Sequence, residues 1–234
     1  MRQGEKCVFT VSEDMFNGKL KKGHRYIGKY WLPTLVYYRN WHVPVATVEP
    51  IKKPTVKKEK APTASDYKNF ADLCFEVAIR YRDNWQSVIS GKKFEEGDWN
   101  GLQAGHGCSR TFWDTRHNTI NCHAITSGEN YAMSIGNAAT IMKYWNYVAK
   151  TEGQRAVDYF TTMKHATMNL TIAWLKADCR EQYEYLWFQL GWYAREHKVE
   201  PKTPEFVVKW RCEKLPKKKA EGIMKVLKIV KGEM

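Results

Sequence analysis

Three short clusters between residues 102 and 137 carry the side chains best suited to chemistry. They are Leu102-Gln103-Ala104-Gly105-His106, then Thr115-Arg116-His117-Asn118-Thr119-Ile120-Asn121-Cys122-His123, then Asn130 with Ser134-Ile135-Gly136-Asn137. A neutral imidazole can take a proton from water, and a divalent metal can stabilise the charge that develops on a phosphate under attack. His106 is the candidate general base, with a satisfied structural histidine as the alternative. Asn121 is the candidate to orient that imidazole by hydrogen bonding, although asparagine in a loop is also a common turn residue. His123 and Asn130 are candidate ligands for Mg²⁺ or Mn²⁺, with water and phosphate oxygens completing the shell. Asn130 reads equally well as a helix cap, and His117 replaces His123 if the register shifts. Arg110 and Arg116 are candidate phosphate clamps, since a guanidinium donates paired N–H bonds to oxyanions. Cys108 and Cys122 lie close by but lack a partner pair at zinc-ligand spacing.

The elements that must position these groups follow from periodicity. Asp66 to Arg82 place Phe70, Leu73, Val77 and Tyr81 at helical spacing, with Ser65 as the expected N-cap. Residues 84–125 are rich in Gly, Asn and Ser and read as short strands and loops. From Tyr131 the pattern turns helical, with Ile141, Tyr144 and Val148 on one face. Gly153 breaks it before a helix over Gln154–Met163, and residues 169–197 form a long aromatic-rich helix or pair. Such an aromatic stripe is more often core than a base-stacking platform. Ala220 to Val230 reads as a short basic helix.

A strand ending in a histidine, a loop with Asn-x-His and a helix beginning near an asparagine together make the ββα-metal arrangement. On these residues, 66–165 resemble the NinG/Rap family of lambdoid phage recombination proteins. The family's I-R-x-R-D helix end is matched by Ile79-Arg80-Tyr81-Arg82-Asp83, with Gly91 at the right distance. Its A-G-H is Ala104-Gly105-His106, and its N-x-H is Asn121-Cys122-His123. Asn130 falls at the family's C-N asparagine, and Ser134-Ile135-Gly136-Asn137 matches S-G-N with one insertion. Gly153-Gln154-Arg155-Ala156-Val157 echoes the later helix. The resemblance implies a His-Asn-His nuclease core acting on branched or recombination-intermediate DNA, within an infected or lysogenic bacterial host.

Two departures matter. The four family cysteines fall on Ser87, Ser90, Thr126 and Glu129, a set that would not hold a tetrahedral zinc, so no structural zinc is expected. Loss of a zinc removes folding free energy, and the aromatic-rich helices after residue 140 are the expected substitute. The wider nuclease class often has a metal-binding aspartate before the histidine; here, as in the family, Gly105 occupies it.

Composition bounds the rest. The net charge of +13 divides unevenly: residues 1–60 carry 13 Lys and Arg against 5 Asp and Glu, residues 200–234 carry 10 against 5, and the centre is neutral. The two ends therefore read as handles for nucleic-acid phosphate, notably Lys52, Lys53, Lys57, Lys58, Lys217, Lys218 and Lys219. Solubilising tails are the plainer alternative. No long apolar run suggests a transmembrane helix, no signal peptide is evident, and six dispersed cysteines read as free thiols, so a cytoplasmic protein is expected.

The expected fold class is α+β: a small ββα-metal core embedded in a mainly helical domain. Residues 1–48 form a small β-rich unit, in which Asn17-Gly18 signals a turn, Arg25 to Trp31 alternate, and Thr34 to Tyr38 and Val43 to Val48 are β-branched and aromatic. Residues 49–64 form a basic Pro/Lys linker, 65–199 the core with its aromatic helices, and 200–234 a basic C-terminal tail or helix. The expected partner is DNA, with a homodimer suited to symmetric cutting. A binding module that has lost catalysis, or a host-takeover interaction protein, is the alternative.

Overall fold

The computed structural model describes residues 6–11, 25–32, 35–38, 41–50, 60–162 and 170–233. The chain divides into two compact units, Met1–Glu59 and Lys60–Met234. The fold is α+β and mostly helical.

In the first unit, β1 (Lys6–Val11), β2 (Arg25–Leu32), β3 (Leu35–Tyr38) and β4 (Trp41–Pro50) pair antiparallel in the ring β1-β2-β3-β4, which closes a small barrel. Cys7 opposes Gly28 and Pro50, and Val36 opposes Tyr30 and Val43. β-Branched and aromatic residues dominate these strands, as pairing on a pleated surface favours. The Asn17-Gly18 turn and Lys52, Lys53, Lys57 and Lys58 fall outside the described residues.

The second unit is built around α1 (Ala64–Arg82), which is buried on nearly every side: Phe70, Ala71, Cys74, Ala78 and Ile79 have no solvent exposure. Its apolar residues face the core, while Asp72, Glu76, Arg80 and Arg82 are spent on ion pairs and on carbonyls of the neighbouring segments. Its cap is Thr63 rather than Ser65. Asp66 N–H donates to Thr63 Oγ1 at 3.3 Å, and Thr63 N–H donates back to Asp66 Oδ2 at 2.7 Å. This reciprocal box satisfies two orphan donors where a lone serine would satisfy one.

Around α1 pack α6 (Ile172–His197), α7 (Pro204–Cys212) and α8 (Lys217–Val230). Residues 200–234 are therefore not an appended tail. Val207, Val208, Ile223 and Val226 are fully buried in the same core as Phe70 and Leu186. α7 escaped the sequence reading because only nine residues carry its pattern, yet Thr203 caps it and Pro204 starts it.

The two-stranded sheet consists of β5 (Leu102–His106) and β6 (Cys122–Thr126), antiparallel, with Leu102 opposite Thr126 and His106 opposite Cys122. A short helix α2 (Trp113–Arg116) lies in the connecting loop, and α3 (Ser127–Ser134) follows β6 directly. α4 (Ala138–Glu152) and α5 (Gln154–Thr162) complete the unit. Leu102, Cys122 and Ala124 of the hairpin join the α1 core, while Ile125 joins a second cluster with Tyr144, Val148 and Val157.

Candidate functional site

The hairpin is fastened to α1 by the last residues of that helix. Buried Arg80 donates from Nε to Leu102 O at 2.9 Å and from Nη1 to Glu76 O at 2.7 Å. Arg82 donates to Thr119 O at 2.6 Å and Cys122 O at 2.9 Å. Asp83 Oδ2 accepts from Ala124 N at 2.7 Å. Arg82 also pairs with Asp83, and the adjacent cation and His123 hold that carboxyl below its ordinary range despite burial. The Ile79–Asp83 motif thus sets where β5 and β6 lie.

β5 delivers His106 to a cavity of about 710 Å³, whose wall includes Glu76, Arg80, Trp99, Gln103, Arg110, Asn130 and Arg211. The imidazole Nε2 lies 2.8 Å from Arg116 O, so the ring carries its proton on Nε2 and donates it to that carbonyl. Nδ1 then keeps a lone pair, with Cys122 Sγ at 3.7 Å. Burial lowers the His106 pKa to about 4, opposed by the Arg116 carbonyl, which keeps the ring neutral at pH 7.

Asn121 does not touch the imidazole. Fully buried, it accepts from Cys108 N at 2.7 Å and donates to Cys108 O at 3.1 Å and Thr115 O at 3.0 Å. It orients His106 at one remove, by fixing the loop that presents the Arg116 carbonyl. Tyr144 Oη donates to Asn121 O at 2.7 Å and closes the same loop against α4.

Arg116 likewise serves the loop rather than an open phosphate site: its guanidinium grips Asp72 of α1 through Nε at 2.6 Å and Nη2 at 2.5 Å. Next to it, His117 bridges Asp72 (Nε2, 3.0 Å) and Asp178 of α6 (Nδ1, 3.1 Å). Burial alone disfavours the charged His117 ring, but the hydrogen bonds and charge of Asp178 and Asp72 outweigh it and raise its pKa. Asp72 is held well below the carboxylate range, burial notwithstanding, by His117 and Arg116.

The expected metal ligands are not brought together as a pair. His123 pairs across the hairpin with Gly105, so its side chain projects from the face opposite His106. It is 3% exposed, with Nδ1 2.7 Å from Arg82 Nη2 and Nε2 3.1 Å from Ile120 O, and packs edge-on to Tyr144 and Tyr147. Asn130 does line the cavity, donating to Gln103 Oε1 at 2.7 Å. It is not the cap of the following helix; Thr126 caps α3 and Asn137 caps α4. One neutral amide oxygen does not make a cage for a divalent ion. Among the described residues no group of three His, Cys, Asp or Glu gathers to hold one.

Gly105 has its own reason. A Cβ there would come within 2.2 Å of Ile125 Cδ1 and 3.3 Å of Asn130 Oδ1, so a larger residue is excluded by the packed isoleucine.

The remaining expected residues divide. Arg110 is exposed, pairs with Glu76 at 3.2 Å and lines the cavity. Lys217, Lys218 and Lys219 are exposed in the first turn of α8, and Lys219 reaches a neighbouring pocket of about 200 Å³. The sequence reading missed Arg80, Glu76, Trp99 and Arg211 as cavity residues. Arg80 was visible within the helix-end motif; Arg211 sits in a helix too short to announce itself.

Ser87, Ser90, Thr126 and Glu129 do meet. Glu129 Oε2 accepts from Ser87 Oγ at 2.6 Å and Thr126 N at 2.7 Å, and Thr126 Oγ1 accepts from Glu129 N at 3.1 Å. Ser90 N–H donates to Ser87 Oγ at 3.2 Å. Burial is outweighed by the hydrogen bonds of Ser87, Ser90 and Thr126, which lower the Glu129 pKa. The cluster ties the turn after α1 to the start of α3.

Comparison with protein-family models, curated proteins and solved structures found no match for this chain.

Proposed function

We propose that this chain is a His-Asn-His-type endonuclease that hydrolyses phosphodiester bonds in branched or recombination-intermediate DNA, with His106 as the general base. The observation that carries the reading is the succession β5, loop, β6, α3, with His106 at the strand end facing a cavity rich in guanidinium groups. It is supported by Ser87, Ser90, Thr126 and Glu129. These positions match the family's cysteines in the resemblance, and the Ser87–Glu129 hydrogen bond joins the turn that holds the first two to the helix start that holds the others. Two separated segments meeting at four assigned positions favours the NinG/Rap register over a chance run of short motifs.

In this reading the Arg116 carbonyl fixes the His106 tautomer, the Cys122 thiol gives up its contact with Nδ1 so that this nitrogen takes the proton of an attacking water, and cavity cations hold the phosphate. Burial keeps His106 in its basic form at neutral pH, though a lowered pKa makes it a weaker base. Dependence on Mg²⁺ or Mn²⁺ belongs to the proposal, but no protein cage is assigned to the ion and no step is routed through it.

A second reading, DNA binding without hydrolysis, is favoured by one observation: His123 is engaged on both ring nitrogens away from the cavity. Labelled four-way junction, linear duplex and single-stranded DNA, incubated with Mg²⁺, Mn²⁺ or EDTA, separate the two. Metal-dependent cutting lost in His106→Ala supports the hydrolase. Salt-sensitive binding with no cutting under any metal supports the binder, and neither binding nor cutting refutes both.

A further inference from the structure

We infer that Trp99 and the guanidinium groups of Arg80 and Arg211 form a binding site for a phosphodiester of a nucleic-acid backbone, in a groove continuous from the His106 cavity to Lys219. The inference rests on the reading of this cavity as a nucleic-acid site, and adds the residues and the path.

The Cζ atoms of Arg80 and Arg211 lie 5.6 and 5.4 Å from the Trp99 ring centroid. Guanidinium groups stack on indole faces, which fixes their planes while leaving N–H edges available. Arg80 spends its hydrogen bonds on the carbonyls of Leu102 and Glu76, and no carboxylate forms an ion pair with it among the described residues. Arg211 likewise forms no ion pair with a carboxylate among the described residues. The one acid on the cavity wall, Glu76, is turned to Arg110 at 3.2 Å.

Burial lowers the pKa of both arginines; the charge of Glu76 opposes this at each and Arg211 lowers that of Arg80 further, so one carboxylate stands against the charges of Arg80, Arg110 and Arg211. A partly desolvated cluster of like charge is costly without a counterion, and a bound anion relieves it. The Trp99 indole N–H is buried and has no acceptor among the described residues.

The shape favours a chain of phosphates over a lone anion. Glu76, Arg110 and Arg211 line both the 710 Å³ cavity and the adjoining 200 Å³ pocket, so the two adjoin along one wall. The second pocket continues to Lys219 on α8. The acids on this path, Glu76 and Asp72, pair with Arg110 and Arg116, so Arg80, Arg211 and Lys219 are the cations that remain along it, spaced as a polyanion requires and a free phosphate does not.

The test uses the full chain in EDTA, so that hydrolysis plays no part, with a fluorescein-labelled DNA duplex titrated at several salt concentrations and inorganic phosphate as competitor. Arg211→Gln is expected to weaken binding about 10- to 100-fold and to lower the log K against log salt slope by about 1. Lys219→Gln, exposed and harmless to folding, is expected to lower the slope by a similar step with a smaller loss. Arg180→Gln, on the exposed face of α6, is expected to change neither. Unchanged binding and slope in both Arg211→Gln and Lys219→Gln overturns the inference. Protection by phosphate without duplex binding overturns the nucleic-acid assignment. Duplex binding that depends on Arg211, with no cutting by the natural protein in a parallel incubation with Mg²⁺ or Mn²⁺, refutes the hydrolase and leaves this inference standing.

Discussion

Replacing His117 by leucine tests how the loop carrying the Arg116 carbonyl is anchored. In the native protein His117 is the main partner of Asp178, whose carboxylate is 5% exposed and, among the described residues, has only Gln182 Nε2 at 3.2 Å besides and an Oδ2 with no hydrogen bond. His117→Leu strands that carboxylate, whereas Asp72 retains Arg116. Breaking a buried pair from one side costs about 3–5 kcal/mol, because the surviving charge stays desolvated. The lower end, about 3 kcal/mol, is expected here. Asp178→Leu should cost less, since His117 keeps Asp72 at 3.0 Å. The double variant should be more stable than the sum of the singles predicts by about 1–3 kcal/mol. Urea unfolding followed by tryptophan fluorescence measures this, since eight of the ten tryptophans lie in residues 60–234. The pH dependence has a definite sign. The folded pKa of His117 is raised above the ordinary histidine value of about 6.5, so its contribution is complete below about 6.5 and is lost as pH rises through the raised value. The stability gap between the natural protein and His117→Leu should therefore be widest at mildly acid pH and narrow on the alkaline side. Additive single costs, or a gap that does not change with pH, would refute the reasoning.

Asn121→Ala removes three loop hydrogen bonds and leaves the Cys108 N–H without its acceptor, an expected loss of about 2–4 kcal/mol in urea unfolding. Faster amide exchange at Cys108 should accompany it, and native-like protection there would contradict the loop-fixing role. Gly105→Ala drives a methyl into Ile125 and should cost about 1–3 kcal/mol, read as a lowered Tm, and the double variant with Ile125→Ala should lose less than the sum of the two singles. Changing Ser87, Ser90, Thr126 and Glu129 together to cysteine should create a tetrahedral thiolate site that binds Co²⁺ with its intense visible absorption; no absorption would mean that the family register is misplaced. If His106 is the base, the acid limb of the cleavage pH profile should fall near pH 4 rather than 6.5, and a limb at 6.5 would deny the burial effect on its ring.

Local chemistry made much of this protein legible from its sequence. Alternating β-branched and aromatic residues marked the N-terminal strands, and the apolar rows from Phe70 to Tyr81 marked α1, because burial imposes those periods on any chain. Ala104-Gly105-His106 and Asn121 stood out as residues whose types are costly to place without a purpose. The sequence could not show which face of the hairpin each histidine takes. That is set by a register in which His106 opposes Cys122 and Gly105 opposes His123, so two plausible ligands part company across one sheet. Nor could spacing show that Arg116 spends its charge on Asp72, some 44 residues away, or that Arg211 stands over Trp99 from a helix read as part of a tail. Such pairings depend on where distant elements pack. Periodicity fixes which face of a helix is apolar, whereas the partner of a buried charge is chosen by the tertiary fold.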